Sequence, residues 1–335
     1  MILRNGAIDD NVDERSVRKR LQGVMVPAGK LRPSLSGSPA SFRTAQMGFL
    51  SVVNAVNDLA AEGIRPEEIR VTILLPEKSE ESLLRSIVDE IREAAETASV
   101  LVSACHAETN SAVVRPVVFT QAQGKTSFYP AKAVLPNAQV SGVEETESEQ
   151  RQISDPPGGR EILMLGRAGL EGTFLLAAEK RVELEMRFPL RMLERAAAMK
   201  EFLLMTPAVE ALGEIGIRPA YLVNGAGGGA FTALWELSKE SGCGITVELP
   251  EIPLLQETIE ITDYYGINPY QMCSAGCMLA VVEDAENASA LLAEHGIYSK
   301  PVGRLTEGRD KILLNGEERQ NLNRPDADAL LPLLG

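Results

Sequence analysis

The chain has 335 residues, a formal net charge of −14 at pH 7 and four cysteines. This length predicts two domains of ordinary size, and the negative charge argues against a general nucleic-acid binder, which needs a cationic surface. The sequence has no run of about 18 apolar residues and no secretory signal, so we expect a cytoplasmic protein without a membrane span. Four cysteines in a chain this long do not indicate a disulfide framework, so we expect reduced thiols.

The first 42 residues predict a short charged helix followed by an irregular segment. Residues 9–22 have helix-capping residues at their start, and we expect the acidic pair Asp9 and Asp10 to cap this helix rather than bind a ligand. Residues 23–42 are rich in glycine, proline and serine and contain no acidic residue. This composition predicts a loop or an irregular arm.

Residues 43–121 alternate helical and extended patterns. The clearest pattern is at residues 80–98, where apolar side chains recur at helical spacing along one stripe. The other predictions here are a helix at 43–63, strands at Val71–Leu75, Val100–Ser103 and Val113–Gln121, and a loop at Cys105–Asn110.

A polar, acidic segment at residues 141–160 ends in Pro-Pro-Gly-Gly, which indicates a domain boundary. We therefore predict an N-terminal domain at 1–155 and a C-terminal domain at 156–335. The C-terminal part is predicted to begin with a strand at Glu161–Leu165, followed by helices at 174–187, 188–204 and 207–214. Helices alternate with strands in both parts, which predicts layered α+β or α/β architecture.

Residues 219–308 carry the most specific pattern of the chain. A glycine run at Gly225–Gly229 opens a helix, and Gly-Cys-Gly closes it. A strand, a second helix, a strand, a helix and a last strand are predicted to follow. Within this stretch, Cys273 and Cys277 are four residues apart, but zinc would need two more ligands, so we expect these thiols to pack in the core.

Several motifs, in this order and spacing, resemble the aminoimidazole ribonucleotide (AIR) synthetase superfamily, in particular its hydrogenase-maturation-factor-like branch. The motifs are VNAVNDLAAEG (Val53–Gly63), SACHAETN (Ser103–Asn110), GRAGLEGT (Gly166–Thr173), ALWE (Ala233–Glu236), SAGCM (Ser274–Met278) and GRLTEG (Gly303–Gly308). The resemblance covers roughly residues 43–320. It implies an α+β protein with the PurM-like two-domain fold: an N-terminal α/β domain for ATP binding and dimerisation, and a C-terminal α/β sandwich. It also implies a homodimer.

The resemblance implies a nucleotide site that includes Asn57 and Asp58. They match the family's Asn-Asp positions, where the aspartate helps to bind Mg²⁺-nucleotide; the alternative is a polar residue near a helix end. His106 and Glu108 match the family's Gly-Gly-His-Thr-Glu motif. The implied roles are catalytic for both, with His106 orienting a phosphate and Glu108 joining Asp58 as a metal ligand. The alternative for His106 is a structural histidine.

Two glycine turns complete the implied cofactor site. Gly166, Gly169, Gly172 and Thr173 lie between a strand and a helix, where backbone N–H groups can face an anion; the alternative is a tight turn that packs a helix on a sheet. Asn224, Gly228 and Gly229 retain part of the second turn, in a stretch where the family reads His-Asp-Val-Thr-Glu-Gly-Gly. No titratable residue remains in this stretch, although general acid–base chemistry requires one.

Two functional hypotheses follow. In the first, the chain is an ATP-dependent enzyme that uses Mg²⁺ to phosphorylate an amide or carboxamide oxygen of a small substrate, although the family's acidic phosphate-loop pair is not found. In the second, it is a non-catalytic paralogue that binds a small anion or a protein partner through Gly225–Gly229. The family's maturation enzyme carries its thiocarboxamide on a C-terminal cysteine, whereas the last cysteine here is Cys277, so we expect that this chain does not run that reaction in the known way. Mg²⁺-dependent nucleotide binding distinguishes the hypotheses.

Overall fold

The structure is a computed structural model that describes residues 34–37, 44–129 and 159–334, with residues 34–37 described by their backbone. The predicted helix at 9–22, most of the segment at 23–42 and the acidic segment up to residue 158 lie outside the described residues. No helix in the described ranges is both long and apolar enough to cross a bilayer.

A four-stranded sheet with two helices forms the N-terminal half. Its elements are β1 (Ser34–Gly37), α1 (Met47–Ala61), β2 (Glu68–Leu75), α2 (Glu81–Thr97), β3 (Leu101–Thr109) and β4 (Val117–Gln123). The strand order is β1-β4-β2-β3, with β2 and β3 parallel and the other neighbours antiparallel. The predicted helix at 80–98 is confirmed as α2, whose buried side chains form one stripe.

One face of this sheet is packed and the other is open. Along β2 and β4, buried side chains alternate with more exposed ones, because successive side chains point to opposite faces of a sheet. Val71 and Ile73 are buried with α1 and α2, whereas Phe119 lies on the other face and is 43% exposed. The N-terminal half of a single chain therefore presents an open sheet face.

A seven-stranded sheet and its helices form the C-terminal half. Its elements are β5 (Glu161–Gly166), α3 (Leu170–Glu179), α4 (Arg181–Glu185), α5 (Leu190–Ala198), α6 (Thr206–Glu214), β6 (Tyr221–Asn224), α7 (Gly229–Ser241), β7 (Gly244–Glu248), α8 (Gln256–Tyr265), β8 (Cys277–Val282), α9 (Ala285–Glu294), β9 (Ser299–Thr306), β10 (Lys311–Asn315), β11 (Glu318–Asn321) and α10 (Leu331–Leu334). The strand order is β11-β10-β7-β9-β5-β8-β6. β7 and β10 are parallel, and the other neighbours are antiparallel.

The seven-stranded sheet is covered on both faces. Every residue of β8 is buried, with Leu279 packed in the cluster that contains α7 and Met278 packed in the cluster that contains α6 and α9. A strand covered on both faces reads as a continuous apolar run, as β8 does. This α/β sandwich places the start of α7 beside the end of β6.

The two halves share one hydrophobic cluster. Leu50 and Ile91 of the N-terminal half belong to the same cluster as Leu176 and Leu193 of the C-terminal half. Asn57 of α1 reinforces this seam: its Nδ2 donates to the Leu203 carbonyl, and its Oδ1 accepts from the Met205 N–H, both at 2.8 Å. The order of elements predicted for residues 219–308 is confirmed, from α7 through β9.

The predicted loop at Cys105–Asn110 was wrong, because β3 continues to Thr109. Its residues pair in parallel with β2, Thr72 opposite His106 and Leu74 opposite Glu108. The irregular arm predicted at 23–42 also contains a strand, since residues 34–37 pair antiparallel with β4. In both places, pairing with a distant strand decides the conformation, and local composition does not report such pairing.

Candidate active site at the seam between the halves

Asp58 and Asn224 meet at the seam between the halves. Asp58 lies in the last turn of α1, and Asn224 is the last residue of β6. The Asn224 Nδ2 donates to Asp58 Oδ1 at 2.8 Å. Burial raises the pKa of Asp58 to about 6, while the hydrogen bond from Asn224 opposes this rise and nearby Glu62 adds to it. The structure thus brings together two residues that the sequence assigned to the nucleotide site from separate motifs.

Glu62 and Glu236 interact with Asp58, and Glu240 interacts in turn with Glu236 and Glu62. Glu62 lies four residues after Asp58, and Glu236 and Glu240 are spaced likewise on α7, so each pair shares a helix face. Desolvation raises the pKa of all three glutamate carboxyl groups, and it raises that of Glu240 to about 7. Repulsion from neighbouring acids adds to the rise for Glu236 and Glu240. We call these four residues the acidic seam.

The acidic seam offers part of a magnesium site. Asn224 Oδ1 is buried and has no hydrogen-bond partner, so an amide oxygen is left beside the Asp58 carboxylate. Mg²⁺ prefers such oxygen ligands and commonly takes one or two carboxylates together with substrate phosphates. In the described part of the chain, no three His, Cys, Asp or Glu side chains converge on one metal position. The residues therefore fit a metal whose remaining ligands come from a nucleotide or water.

Asn57 does not face this site. Its side chain is fully buried, and both of its polar atoms are engaged with Leu203 and Met205 across the seam. Because the amide is fully buried and binds two backbone groups of the C-terminal half, the geometry favours a clamp between the halves over the predicted nucleotide contact.

His106 and Glu108 lie on the open face of the N-terminal sheet. They are two residues apart on the edge strand β3, both are exposed, and His106 Nε2 lies 3.4 Å from Glu108 Oε2. Hydrogen bonds from Asn110 and then from His106 lower the pKa of Glu108. Within one chain, the hydrogen-bond partners of the Glu108 carboxylate are His106 and Asn110, not Asp58. The role of Glu108 as a second metal ligand stays a prediction, as does the catalytic role of His106.

The turn at residues 166–173 uses its N–H groups for packing. Gly166 N–H donates to the Tyr298 carbonyl, Gly169 N–H to Ser274 Oγ and Gly172 N–H to the Cys273 carbonyl. Thr173 Oγ1 donates to the Gly169 carbonyl at 2.7 Å. These contacts favour the tight-turn alternative over the predicted nucleotide contacts of these residues.

The second glycine turn already holds a carboxylate. Gly228 N–H donates to Asp328 Oδ2 at 3.1 Å, and Gly229 N–H donates to the Ala226 carbonyl. Burial raises the pKa of Asp328 to about 6, while its backbone hydrogen bonds oppose the rise. Asp328 thus occupies the N-terminal end of α7, where an anion is favoured by the helix dipole. Sequence reasoning missed this residue, which is about 100 positions from its partner.

Comparison with known families defines the class of protein. A family model described as "AIR synthase related protein, C-terminal domain" matches residues 158–314, and its N-terminal counterpart matches residues 35–126. The chain therefore belongs to the AIR synthase related family. The predicted superfamily membership and the predicted PurM-like α+β fold are confirmed.

Particular relatives lie in the hydrogenase-maturation branch. The chain is 26% identical to the carbamoyl dehydratase HypE of Rhodobacter capsulatus over 256 residues, which cover 76% of this chain and 67% of that protein. A solved structure of HypE in complex with ATP is 18% identical, with a TM-score of 0.67 and coverage of 98% and 99%. A chain in a solved structure of a HypE–HypF complex is 21% identical, with a TM-score of 0.63, and the match covers 87% of this chain and 89% of that one. At identities of 18% and 21%, these two structures show only that this chain shares their fold.

Proposed function

We propose that this chain is an ATP-dependent enzyme of the carbamoyl-dehydratase type, which activates an amide or carboxamide oxygen by phosphorylation. The observation that carries the proposal is the acidic seam, where Asp58 lies beside an unpartnered amide oxygen of Asn224. The relationship to HypE supports the reaction class, and the solved ATP complex of that protein supports the nucleotide.

The acidic seam and the adjacent Asn224 together suit the two steps of such a reaction. Phosphorylation of the amide oxygen releases ADP and one N–H proton, and expulsion of phosphate with the second N–H proton leaves a carbon–nitrogen triple bond. Asp58 and Asn224 would hold Mg²⁺, which neutralises charge on the nucleotide phosphates. Glu240 has a pKa of about 7, so it can accept a released proton at neutral pH. It supplies the titratable group that is missing from residues 223–229.

We also propose that the enzyme works as a homodimer, in which the open faces of two N-terminal sheets meet. That face carries exposed apolar side chains, including Phe119, together with the exposed His106 and Glu108. A second copy would cover the apolar side chains and shield the two polar ones from solvent. The HypE–HypF complex supports a protein partner as well, so the carboxamide substrate is proposed to be borne by a protein.

Titration of ATP by calorimetry tests the nucleotide site. The wild-type protein is expected to bind ATP in the presence of Mg²⁺ and to bind at least tenfold more weakly without it. Asp58→Asn retains the shape of the side chain but removes the charge, so it should lose the effect of Mg²⁺. Asp263→Asn, at an exposed position of α8, is the matched control and should bind as wild type does.

The second hypothesis, a non-catalytic paralogue, keeps one observation in its favour. Asp328 accepts the Gly228 N–H in the second glycine turn, and the N–H groups of Gly166, Gly169 and Gly172 in the first turn are bonded within the chain. These four predicted donors are therefore not free for the phosphates of ATP. If millimolar ATP fails to bind with Mg²⁺ present, the enzyme proposal is wrong and the chain is a family fold with another role.

A further inference from the structure

Arg218 and Tyr129 form a further contact between the two halves. Tyr129 is the last described residue of the N-terminal half, and Arg218 lies in the connection between α6 and β6. The Arg218 Cζ is 5.5 Å from the centroid of the Tyr129 ring. Neither residue belongs to the acidic seam or to the two glycine turns.

Both side chains have buried polar atoms that lack partners. Nε and Nη1 of Arg218 and the hydroxyl of Tyr129 are buried, and none of the three atoms has a hydrogen-bond partner. Tyr129 as a whole is only 5% exposed. Buried donors without partners are rare in folded proteins. Arg218 as a whole is half-buried, and its partly desolvated charge has no counter-charge among the described residues.

The electrostatics of Arg218 agree with this geometry. Burial lowers the pKa of the guanidinium, and the neighbour that opposes this effect is the Tyr129 phenol rather than a carboxylate. A water molecule could satisfy the hydrogen bonds of the guanidinium, but it would leave the charge without a counter-ion. An anion would satisfy both requirements.

A neighbouring arginine shows what Arg218 lacks. Arg65 lies over the ring of Phe128, with its Cζ 4.8 Å from the centroid, much as Arg218 lies over Tyr129. However, Arg65 Nη1 pairs with Glu210 Oε1 at 2.7 Å. The protein supplies a carboxylate to the first arginine and, in the described residues, none to the second.

We propose that Arg218 and Tyr129 bind a small oxyanion at the seam between the halves. Guanidinium and phenol groups both donate to oxygen acceptors, and the charge of Arg218 selects an anionic ligand. Phosphate and small carboxylates share this chemistry. Because one residue comes from each half, the bound anion links the halves and stabilises the folded protein.

The experiment uses the full chain in a chloride buffer of constant ionic strength, titrated with inorganic phosphate in one arm and acetate in the other. The wild-type protein is expected to bind one of these anions by calorimetry, and its Tm should rise with the concentration of that anion. Arg218→Met and Tyr129→Phe should each weaken binding at least tenfold. Arg65→Met is the matched control, and its anion dependence should equal that of the wild type.

The two arms identify the ligand class, because binding of phosphate alone indicates a tetrahedral oxyanion and binding of acetate alone indicates a carboxylate. Absence of any anion dependence in the wild type overturns the proposal. So does a dependence that persists unchanged in Arg218→Met and Tyr129→Phe. Tyr129→Phe removes a single hydroxyl, so the test remains decisive even if the arginine variant does not fold.

Discussion

At the scale of single residues, several carboxyl groups are buried and have raised pKa values. Glu171 is buried in the first turn of α3, where its Oε2 accepts from the Ala275 N–H at 2.9 Å. Burial raises its pKa from 4.5 to about 7, and repulsion by Asp328 adds to the rise. The folded state therefore favours the protonated form. The stabilising contribution of the protonated Glu171 is fully present below 4.5, the pKa of this group in the unfolded chain, and is lost as the pH rises through about 7.

Glu171→Gln should remove this pH dependence. A shift of this size corresponds to about 3 kcal/mol, so the variant should be more stable than wild type at pH 8 by roughly 1–3 kcal/mol. Below pH 4.5 the two proteins should converge, because the wild-type side chain is then neutral in both states. Denaturant unfolding at the two pH values measures the difference.

The control for that experiment is Glu194→Gln, since Glu194 is exposed on α5. It should leave the free energy of unfolding within about 0.5 kcal/mol of wild type at both pH values. If Glu171→Gln behaves in the same way as this control, the carboxyl of Glu171 is not protonated in the folded protein.

The sequence could indicate some site residues but not others. Asp58 and Asn224 lie in motifs that resemble family positions, so the sequence predicts each of them as a site residue. Glu240 and Asp328 were missed, because their raised pKa values arise from contacts between segments that are far apart in the chain. The spacing of Glu236 and Glu240 could have shown that they share a helix face, but not that the face meets α1.

At the scale of elements, the turn between β5 and α3 depends on a glycine that no other residue can replace without strain. Gly166 has a φ of +73°, and a Cβ there would lie 2.0 Å from the Gly276 carbonyl oxygen. Gly216, after α6, has nearly the same φ, +72°, but a Cβ there would meet nothing within 4 Å. A comparison of substitutions at the two positions therefore distinguishes the cost of backbone strain, present at both, from the cost of a steric clash, present only at Gly166.

Gly216→Ala should therefore cost about 1 kcal/mol of unfolding free energy, which is the strain of a left-handed conformation. Gly166→Ala should cost roughly 3 kcal/mol or more, because the new methyl group also collides with backbone atoms that cannot move aside. Thermal and denaturant unfolding of the two variants measure the costs. Equal costs would show that the backbone at Gly276, just before β8, shifts to accommodate the methyl group.

The elements themselves were predictable to different degrees. Helix α2 was predicted almost to the residue, because its apolar stripe is a local pattern. Strand β3 was cut short in the prediction, since its last residues, including His106, are polar or small and are held by pairing with β2. The local hydrophobic pattern indicates which face of an element is buried. It does not indicate how many further residues adopt the strand conformation because they pair with a neighbouring strand.

At the scale of the whole molecule, the proposed dimer gives a direct prediction. Phe119→Glu places a charge on the open sheet face and should convert the dimer into a monomer, as measured by light scattering after size exclusion. Phe202 is also exposed, at 61%, but it lies in the C-terminal half, so Phe202→Glu should leave the dimer intact. A wild-type monomer, or a dimer that tolerates Phe119→Glu, would contradict the proposed interface.

The hydrophobic cluster shared by the halves has a consequence for fragments of this protein. Since α1 and α2 pack in the same cluster as α3 and α5, the covalent link between the halves is not what holds them together. Residues 1–145 and 146–335, produced as separate polypeptides, should therefore reassemble by fragment complementation and melt in a single transition. Neither fragment alone should remain soluble, because each would expose the apolar surface that the other covers.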